Sequence, residues 1–168
     1  LLLLTTTAAP AAVDISATGD RLPLGERTAV LEDPARDHTI EGLLSGAPAE
    51  WHRRDQRVLN FSFSDSAYWL RIRLENPAPR RARRVLEAAM PLHDYFDVYV
   101  VRDGRIVDRV HTGDRRPFDS RPVAHKHFLF PLEFAPGDRL TLYLRIDTED
   151  GLYDAIPLNL WRQPALFE

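Results

Sequence analysis

The chain has 168 residues, 44% of them hydrophobic and 28% charged, with a formal net charge of −3. That is enough chain, of ordinary globular composition, to bury one real core. A pI near 6.1 excludes the strongly basic footprint of a nucleic-acid binder, and the absence of cysteine excludes disulfides, thiolate zinc sites and cysteine nucleophiles.

The N-terminus, Leu1 to Leu4 followed by Thr5-Thr6-Thr7-Ala8-Ala9-Pro10-Ala11-Ala12, reads as the end of an apolar leader with a small-residue cleavage site at Ala9-Pro10-Ala11, or as a disordered tail. Residues 1–12 are therefore set apart, and 13–168 are expected to form a single domain of an exported protein. No stretch approaches 18 consecutive apolar residues, the minimum for a membrane-spanning helix.

Thirteen prolines and eight glycines punctuate short apolar runs, as in an all-β domain. Val30-Leu31-Glu32-Asp33-Pro34 reads as an early strand, and Thr39 to Leu44 as a short helix with Thr39 or His38 near its start. Leu59 to Asn76 reads as two alternating strands joined by a Ser/Asp turn. Its second half sets Tyr68, Leu70, Ile72 and Leu74 on one face, and Trp69, Arg71, Arg73 and Glu75 on the other. The basic run Arg80-Arg81-Ala82-Arg83-Arg84 reads as a solvated loop between strands.

Val85 to Ala89 and Tyr95 to Val101 follow, and the Asp103-Gly104 pair predicts a tight hairpin into Ile106 to Val110. A connection from His111 to Lys126 is long for a compact domain, so it is expected to be ordered and packed across a sheet, with Phe118 and Val123 as anchors. Strands at His127 to Leu132, Leu140 to Ile146 and Pro157 to Trp161 complete the pattern. About eight strands with little helix predict a β-sandwich of jelly-roll kind.

Catalytic signatures are missing: no G-x-S-x-G elbow, phosphate loop or dinucleotide fingerprint is present, and no cofactor is implied. His125 and His127, two apart, lack further ligands at zinc spacing. The acidic turn Asp147 to Gly151 and the loop acids Asp65, Asp114 and Asp119 offer calcium ligands without an EF-hand loop, and solvated turns are the simpler reading. Binding is the better-supported class. Trp69 offers a flat ring for a sugar or apolar ligand, and arginine forks recognise carboxylates. Trp69 equally suits a structural role, covering the edge of the core, with the arginines solvated or paired with Glu75 and Asp147.

Several segments together resemble a family: Leu22-Pro23-Leu24-Gly25, Leu31-Glu32-Asp33-Pro34, Asp65-Ser66-Ala67-Tyr68-Trp69-Leu70-Arg71, Pro91-Leu92-His93-Asp94, Thr112-Gly113-Asp114, Arg121-Pro122, Phe128-Leu129-Phe130-Pro131-Leu132 and Leu142-Tyr143-Leu144-Arg145. In order and spacing they are similar to the periplasmic sensor domain, second extracellular type, of the 7TMR-DISM receptors, the seven-transmembrane receptors with diverse intracellular signalling modules. The resemblance implies a jelly roll like a carbohydrate-binding module, a periplasmic location ahead of a seven-helix membrane region, and histidine-kinase or diguanylate-cyclase outputs. One departure stands at Lys126-His127, where the family pattern has Arg-Asn before the Phe-x-Phe strand. Lysine keeps the charge and loses the planar fork.

The expected ligand, a small sugar or organic acid, is assigned to Trp69, Arg71, Asp114, Arg121, His125 and Lys126. Trp69 is the platform, the basic groups are anion or hydroxyl partners, and Asp114 orients them. The partners are that ligand and the receptor's own transmembrane region. Two alternatives stand beside this reading: a homodimerising interaction module of the same receptor class, and a carbohydrate-binding module of a secreted enzyme.

Overall fold

The computed structural model describes residues 9–163. Residues 1–8, most of the segment read as a leader or tail, and residues 164–168 lie outside the described residues. In chain order the strands are β1 (Val13–Asp14), β2 (Arg21–Pro23), β3 (Ala29–Asp33), β4 (His52–Arg53), β5 (Ser62–Phe63), β6 (Ala67–Glu75) and β7 (Ala82–Ala88). They continue as β8 (Tyr95–Arg102), β9 (Arg105–Thr112), β10 (Phe128–Phe134), β11 (Arg139–Asp147), β12 (Leu152–Tyr153) and β13 (Leu158–Arg162). A short helix α1 (Ile40–Leu44) lies between β3 and β4. Eight of these strands have five residues or more, the number expected; the rest are two- and three-residue pieces.

The long strands form two sheets. The larger runs β4-β3-β6-β11-β8-β9, with β1 added in parallel to β6; the smaller runs β10-β7-β13-β2. Alternation decides what each presents to the interior. Leu70, Ile72 and Leu74 of β6, Leu140, Leu142, Leu144 and Ile146 of β11, and Phe96 and Val98 of β8 meet Leu86, Ala88, Phe128, Phe130, Leu132, Leu158 and Leu160 of the smaller sheet in one buried cluster. Phe96 sits against Phe128 and Phe130 with ring centroids 5.4 and 5.7 Å apart, within the range of favourable aromatic pairing. This is a β-sandwich whose core lies between the sheets.

Local chemistry sets the turns. Asp103 (φ 51°) and Gly104 (φ 71°) both take the left-handed region, the two-residue I′ geometry predicted for this pair, and β8 and β9 pair across it. Thr39, not His38, caps α1: its hydroxyl accepts from the Gly42 N–H at 3.1 Å.

One expected hairpin does not form. β6 pairs with β1, β3 and β11, whereas the segment before it crosses to the end of the chain. Leu59 bridges Ile156, and β5 pairs with β12. Asn60 Oδ1 accepts from the Ser62 N–H at 2.7 Å, and Ser62 sits at φ 55°. An Asx turn and a left-handed residue interrupt the run, so its alternation never becomes one strand.

Candidate functional site

The predicted constellation divides between two places. Trp69 and Arg71 lie on the outer face of the larger sheet, which a second apolar layer covers. Ile40, Leu43 and Leu44 of α1, with Ala49 and Trp51 beyond it, pack over Leu31, Trp69, Tyr99 and Tyr143. Trp69 is 1% exposed. Its ring stacks on Tyr99, and its Nε1–H donates to Asp33 Oδ2 at 3.3 Å. With no ring face left to solvent, it is a structural residue, and the expectation of an exposed platform is corrected here. Arg71 is half-buried, its guanidinium 4.3 Å from the centre of the Trp51 ring. Its side chain makes no hydrogen bond or ion pair among the described residues. Of the acids expected to pair with arginines of this face, Asp147 does so with Arg145 and also with Arg36, whereas Glu75 pairs with Arg139.

Asp114, Arg121, His125 and Lys126 belong to the connection between β9 and β10. The connection is ordered, as expected. The Asp114 N–H donates to the His93 carbonyl at 2.8 Å, and Gly113 (φ 142°) backs so closely onto the Asp94 carbonyl that a side chain there would collide with it. Asp114's carboxylate is exposed and makes no hydrogen bond or ion pair among the described residues. Arg121 folds the loop onto itself. Its guanidinium lies between Phe118 and Phe128, at 4.8 and 4.7 Å from their ring centres, and donates to the carbonyls of His125 (2.9 Å) and Lys126 (3.1 Å). Phe118 is not the buried anchor expected; it is 57% exposed and serves as one side of this clamp. Arg121 thus positions His125 and Lys126 through Nη1 alone, while its buried Nε–H has no partner.

The loop brings His125 to a polar network on the outer face of the smaller sheet, with the exposed Lys126 next to it in sequence. β7 places Glu87 there, opposite Leu129 of β10 and Asn159 of β13. Glu87 is 6% exposed, yet it collects three donors: Trp161 Nε1–H at 2.6 Å, His127 Nδ1 at 2.8 Å and Asn159 Nδ2–H at 3.1 Å. Burial alone would raise the Glu87 pKa; the donors, Trp161 foremost, outweigh it and hold the carboxyl below its ordinary value. The group is therefore an anion at neutral pH, fixing an indole, an imidazole and an amide at once. Asn159 Oδ1 accepts in turn from Arg21 Nε–H at 3.2 Å, and the Arg21 guanidinium lies 5.4 Å from the Trp161 ring centre. The ring of His125 stands edge-on to that of His127 at 5.3 Å, and its Nδ1 accepts from the His127 N–H at 3.0 Å.

This arrangement suits recognition. A half-buried indole beside a guanidinium, joined through Glu87 to the His127 imidazole and through that to His125, offers one flat apolar surface and several hydrogen-bonding groups held in place from beneath. Five of its residues, Glu87, Asn159, Trp161, Arg21 and His127, are not in the predicted constellation. Glu87 carried the available signal, a carboxylate in the middle of the apolar run Val85-Leu86-Glu87-Ala88.

A second acidic group lies at Asp33, Asp37 and His38, whose ligand atoms fall within 4.8 Å of one another. Both Asp33 oxygens already accept hydrogen bonds there, from His38 and the Asp37 N–H on one and from Trp69 and the His38 N–H on the other.

Comparison with known proteins agrees with the resemblance read from the sequence. The model of the family described as 7TMR-DISM extracellular 2 matches residues 25–162. No curated protein matches the chain. Among solved structures, a Ruminococcus gnavus β-glucuronidase superposes with a TM-score of 0.46 and 14% identity over 85% of this chain and 28% of that one. A further crystal structure of the R. gnavus β-glucuronidase gives a TM-score of 0.43 and 11% identity over 90% of this chain and 30% of that one. The chain thus spans under a third of those enzymes.

Proposed function

We propose, from the premise that this chain belongs to the 7TMR-DISM extracellular 2 family, that it is the ligand-sensing element of its receptor and binds a small sugar or organic acid on the outer face of the smaller sheet. Membership makes it an extracellular part of a seven-transmembrane receptor; among the described residues no helix is long and apolar enough to cross a membrane. The residues assigned to the ligand are Trp161 as the flat surface, with Arg21, His125, Lys126 and His127 as polar partners. Arg121 positions the loop that carries two of them.

One observation carries this reading. Glu87 is a buried carboxylate whose three donors are side chains, two of them the aromatic residues Trp161 and His127 of that face. Burying a charge is costly unless it is fully paired, and a plain solvated face needs no such device. Here it gives a rigid, preorganised surface, which lowers the ordering cost of binding. Signalling follows if the ligand prefers one of two arrangements of the domain relative to its membrane region, since a ligand shifts an equilibrium only by its differential affinity. The histidine-kinase or diguanylate-cyclase output implied by the resemblance belongs to the same proposal.

The test is titration calorimetry of the domain with glucose, galactose, galacturonate and citrate, repeated on Trp161→Ala and His127→Ala. The expected result is micromolar to millimolar binding of at least one probe, weakened tenfold or more by each substitution. Binding that survives both substitutions unchanged, or no binding of any probe, overturns the assignment.

A further inference from the structure

The basic run expected to be a solvated loop is only partly one. Arg80 and Arg81 are exposed in the β6–β7 connection, but β7 begins at Ala82 and carries Arg84 inward, with the core residue Leu86 two positions on. Arg84 is 8% exposed. It lines a cleft of about 840 Å³ at one end of the sandwich, together with Asn76, Arg80, Arg81, Arg83 and Arg162.

Three features of this cleft go beyond a surface patch of charge. First, Arg84 has no carboxylate partner among the described residues. Its Nη2 donates to the Ile15 carbonyl at 2.7 Å and its Nη1 to the Arg83 carbonyl at 2.8 Å, while its buried Nε–H has no partner. Second, its ladder neighbour on β13 is Arg162, another cation. Burial first, and the Arg162 charge second, depress the Arg84 pKa, so the environment resists the charge it holds. The nearby acids, Glu133 on Arg83 and Asp20 on Arg162, are about 70% exposed and do not line the cleft. Third, Asn76 is fully buried in the same wall, and its Oδ1 is an acceptor without a partner. The amide orientation is fixed, because Nδ2 donates to two carbonyls, those of Arg80 (2.8 Å) and Ala135 (3.0 Å).

A concave site with a buried cation that lacks a carboxylate partner, four further arginines and an orphaned acceptor is complementary to an oxyanion that also bears a hydroxyl. Guanidinium forks match phosphate oxygens, and several positive charges converging on one point favour a group carrying more than one negative charge. We propose that this cleft binds a polyol phosphate, with the phosphate seated between Arg84 and Arg162, Arg80 and Arg81 closing over it, and a hydroxyl donating to Asn76 Oδ1. Free glycerol phosphate offers that group as a phosphate monoester, and the headgroup of a phosphatidylglycerol membrane offers the same phosphate and hydroxyls with a single negative charge.

The experiment has two arms. Calorimetry measures glycerol 3-phosphate and inorganic phosphate; cosedimentation measures vesicles of phosphatidylglycerol against phosphatidylcholine. Glycerol 3-phosphate is expected to bind at least tenfold more tightly than inorganic phosphate, and the exposed pair R80A/R81A to weaken it at least tenfold. Arg84→Met is expected to abolish binding; the double variant, which leaves buried residues untouched, keeps the test intact if Arg84→Met fails to fold. Binding confined to phosphatidylglycerol vesicles and lost in R80A/R81A also supports the site, with a lipid as the source. No binding in either arm, binding indifferent to R80A/R81A, or inorganic phosphate equal to glycerol phosphate overturns the proposal. His127→Ala is expected to leave glycerol phosphate binding unchanged, which separates this cleft from the outer-face site.

Discussion

Trp69 and Trp161 occupy comparable positions on opposite sides of the sandwich. Each lies on the outer face of its sheet, and each donates its indole N–H to a buried carboxylate, Asp33 at 3.3 Å or Glu87 at 2.6 Å. Their surroundings then diverge. α1 and the segment after it close over Trp69, leaving it 1% exposed, whereas Trp161 remains half-buried beside Arg21. An alternating strand decides which side chains leave the core. Whether they reach solvent depends on what the rest of the chain lays over them, and that separates a structural tryptophan from one available to a ligand.

The largest effect should come from removing the covered ring. Trp69→Ala empties a site bounded by Leu31, Tyr99, Tyr143 and α1 and is expected to cost about 4 kcal/mol. Trp161→Ala removes one of three donors to Glu87 and part of an open face, with an expected cost of about 1–2 kcal/mol. Urea unfolding of the two variants measures this. Equal losses would mean that the smaller sheet's face is as closed as the larger one's, and the comparison would collapse.

Much of this was legible in the residues. The alternation of β6 and β11 and the Asp103-Gly104 pair placed the long strands and the β8–β9 hairpin, because period and turn chemistry are local properties. Trp69's burial was not, because the layer that covers it comes from residues 40–51, and nothing local to β6 says where they pack. The pairing of Leu59 with Ile156 escaped for the same reason: a contact so distant in sequence leaves no periodic trace. Of the residues proposed to meet the ligand, His125 and Lys126 are the two that the sequence reading shares, through their loop. Arg121 was assigned to the ligand because a sequence cannot show that its fork turns back on the carbonyls of His125 and Lys126. Glu87 was visible only as an anomaly in an apolar strand; its meaning needed Trp161, more than seventy positions away.

The two carboxylates allow a second contrast. Burial works against ionisation at both Asp33 and Glu87, and in both the donors prevail: His38 chiefly at Asp33, Trp161 chiefly at Glu87. A carboxyl whose folded pKa is depressed stabilises the fold above the ordinary carboxylate value of about 4 and loses that contribution as pH falls through the lower folded value. Glu87→Ala, which strands the His127 and Asn159 groups and the Trp161 indole, is expected to cost about 2–3 kcal/mol at pH 7. Glu87→Gln and Asp33→Asn should each flatten the fall in stability measured from pH 5 to pH 2. The outer-face reading gives them different consequences for binding. Glu87→Gln should weaken the ligand, because it loosens the surface the ligand meets, and Asp33→Asn should leave it unchanged. A ligand that responds equally to both substitutions would place the binding face elsewhere.

The smallest expected effect concerns Arg71, the one predicted ligand residue on the covered side that still reaches the surface. Its guanidinium lies 4.3 Å from the Trp51 ring centre, and Trp51 stands edge-on to Tyr143 at 6.1 Å. If Arg71 is the outermost course of the apolar layer over Trp69, its contribution is a cation–π contact at a partly exposed site. Such contacts are worth about 0.5–1 kcal/mol. A double-mutant cycle of Arg71→Ala and Trp51→Ala in urea should return a coupling of that size, because the pair is in direct contact and the Arg71 side chain makes no hydrogen bond or ion pair among the described residues. Arg71→Ala should also leave sugar and organic-acid binding within twofold of the unmodified protein. A coupling near zero, joined to a tenfold loss of affinity, would reverse the contrast between the two faces and return the ligand to the larger sheet.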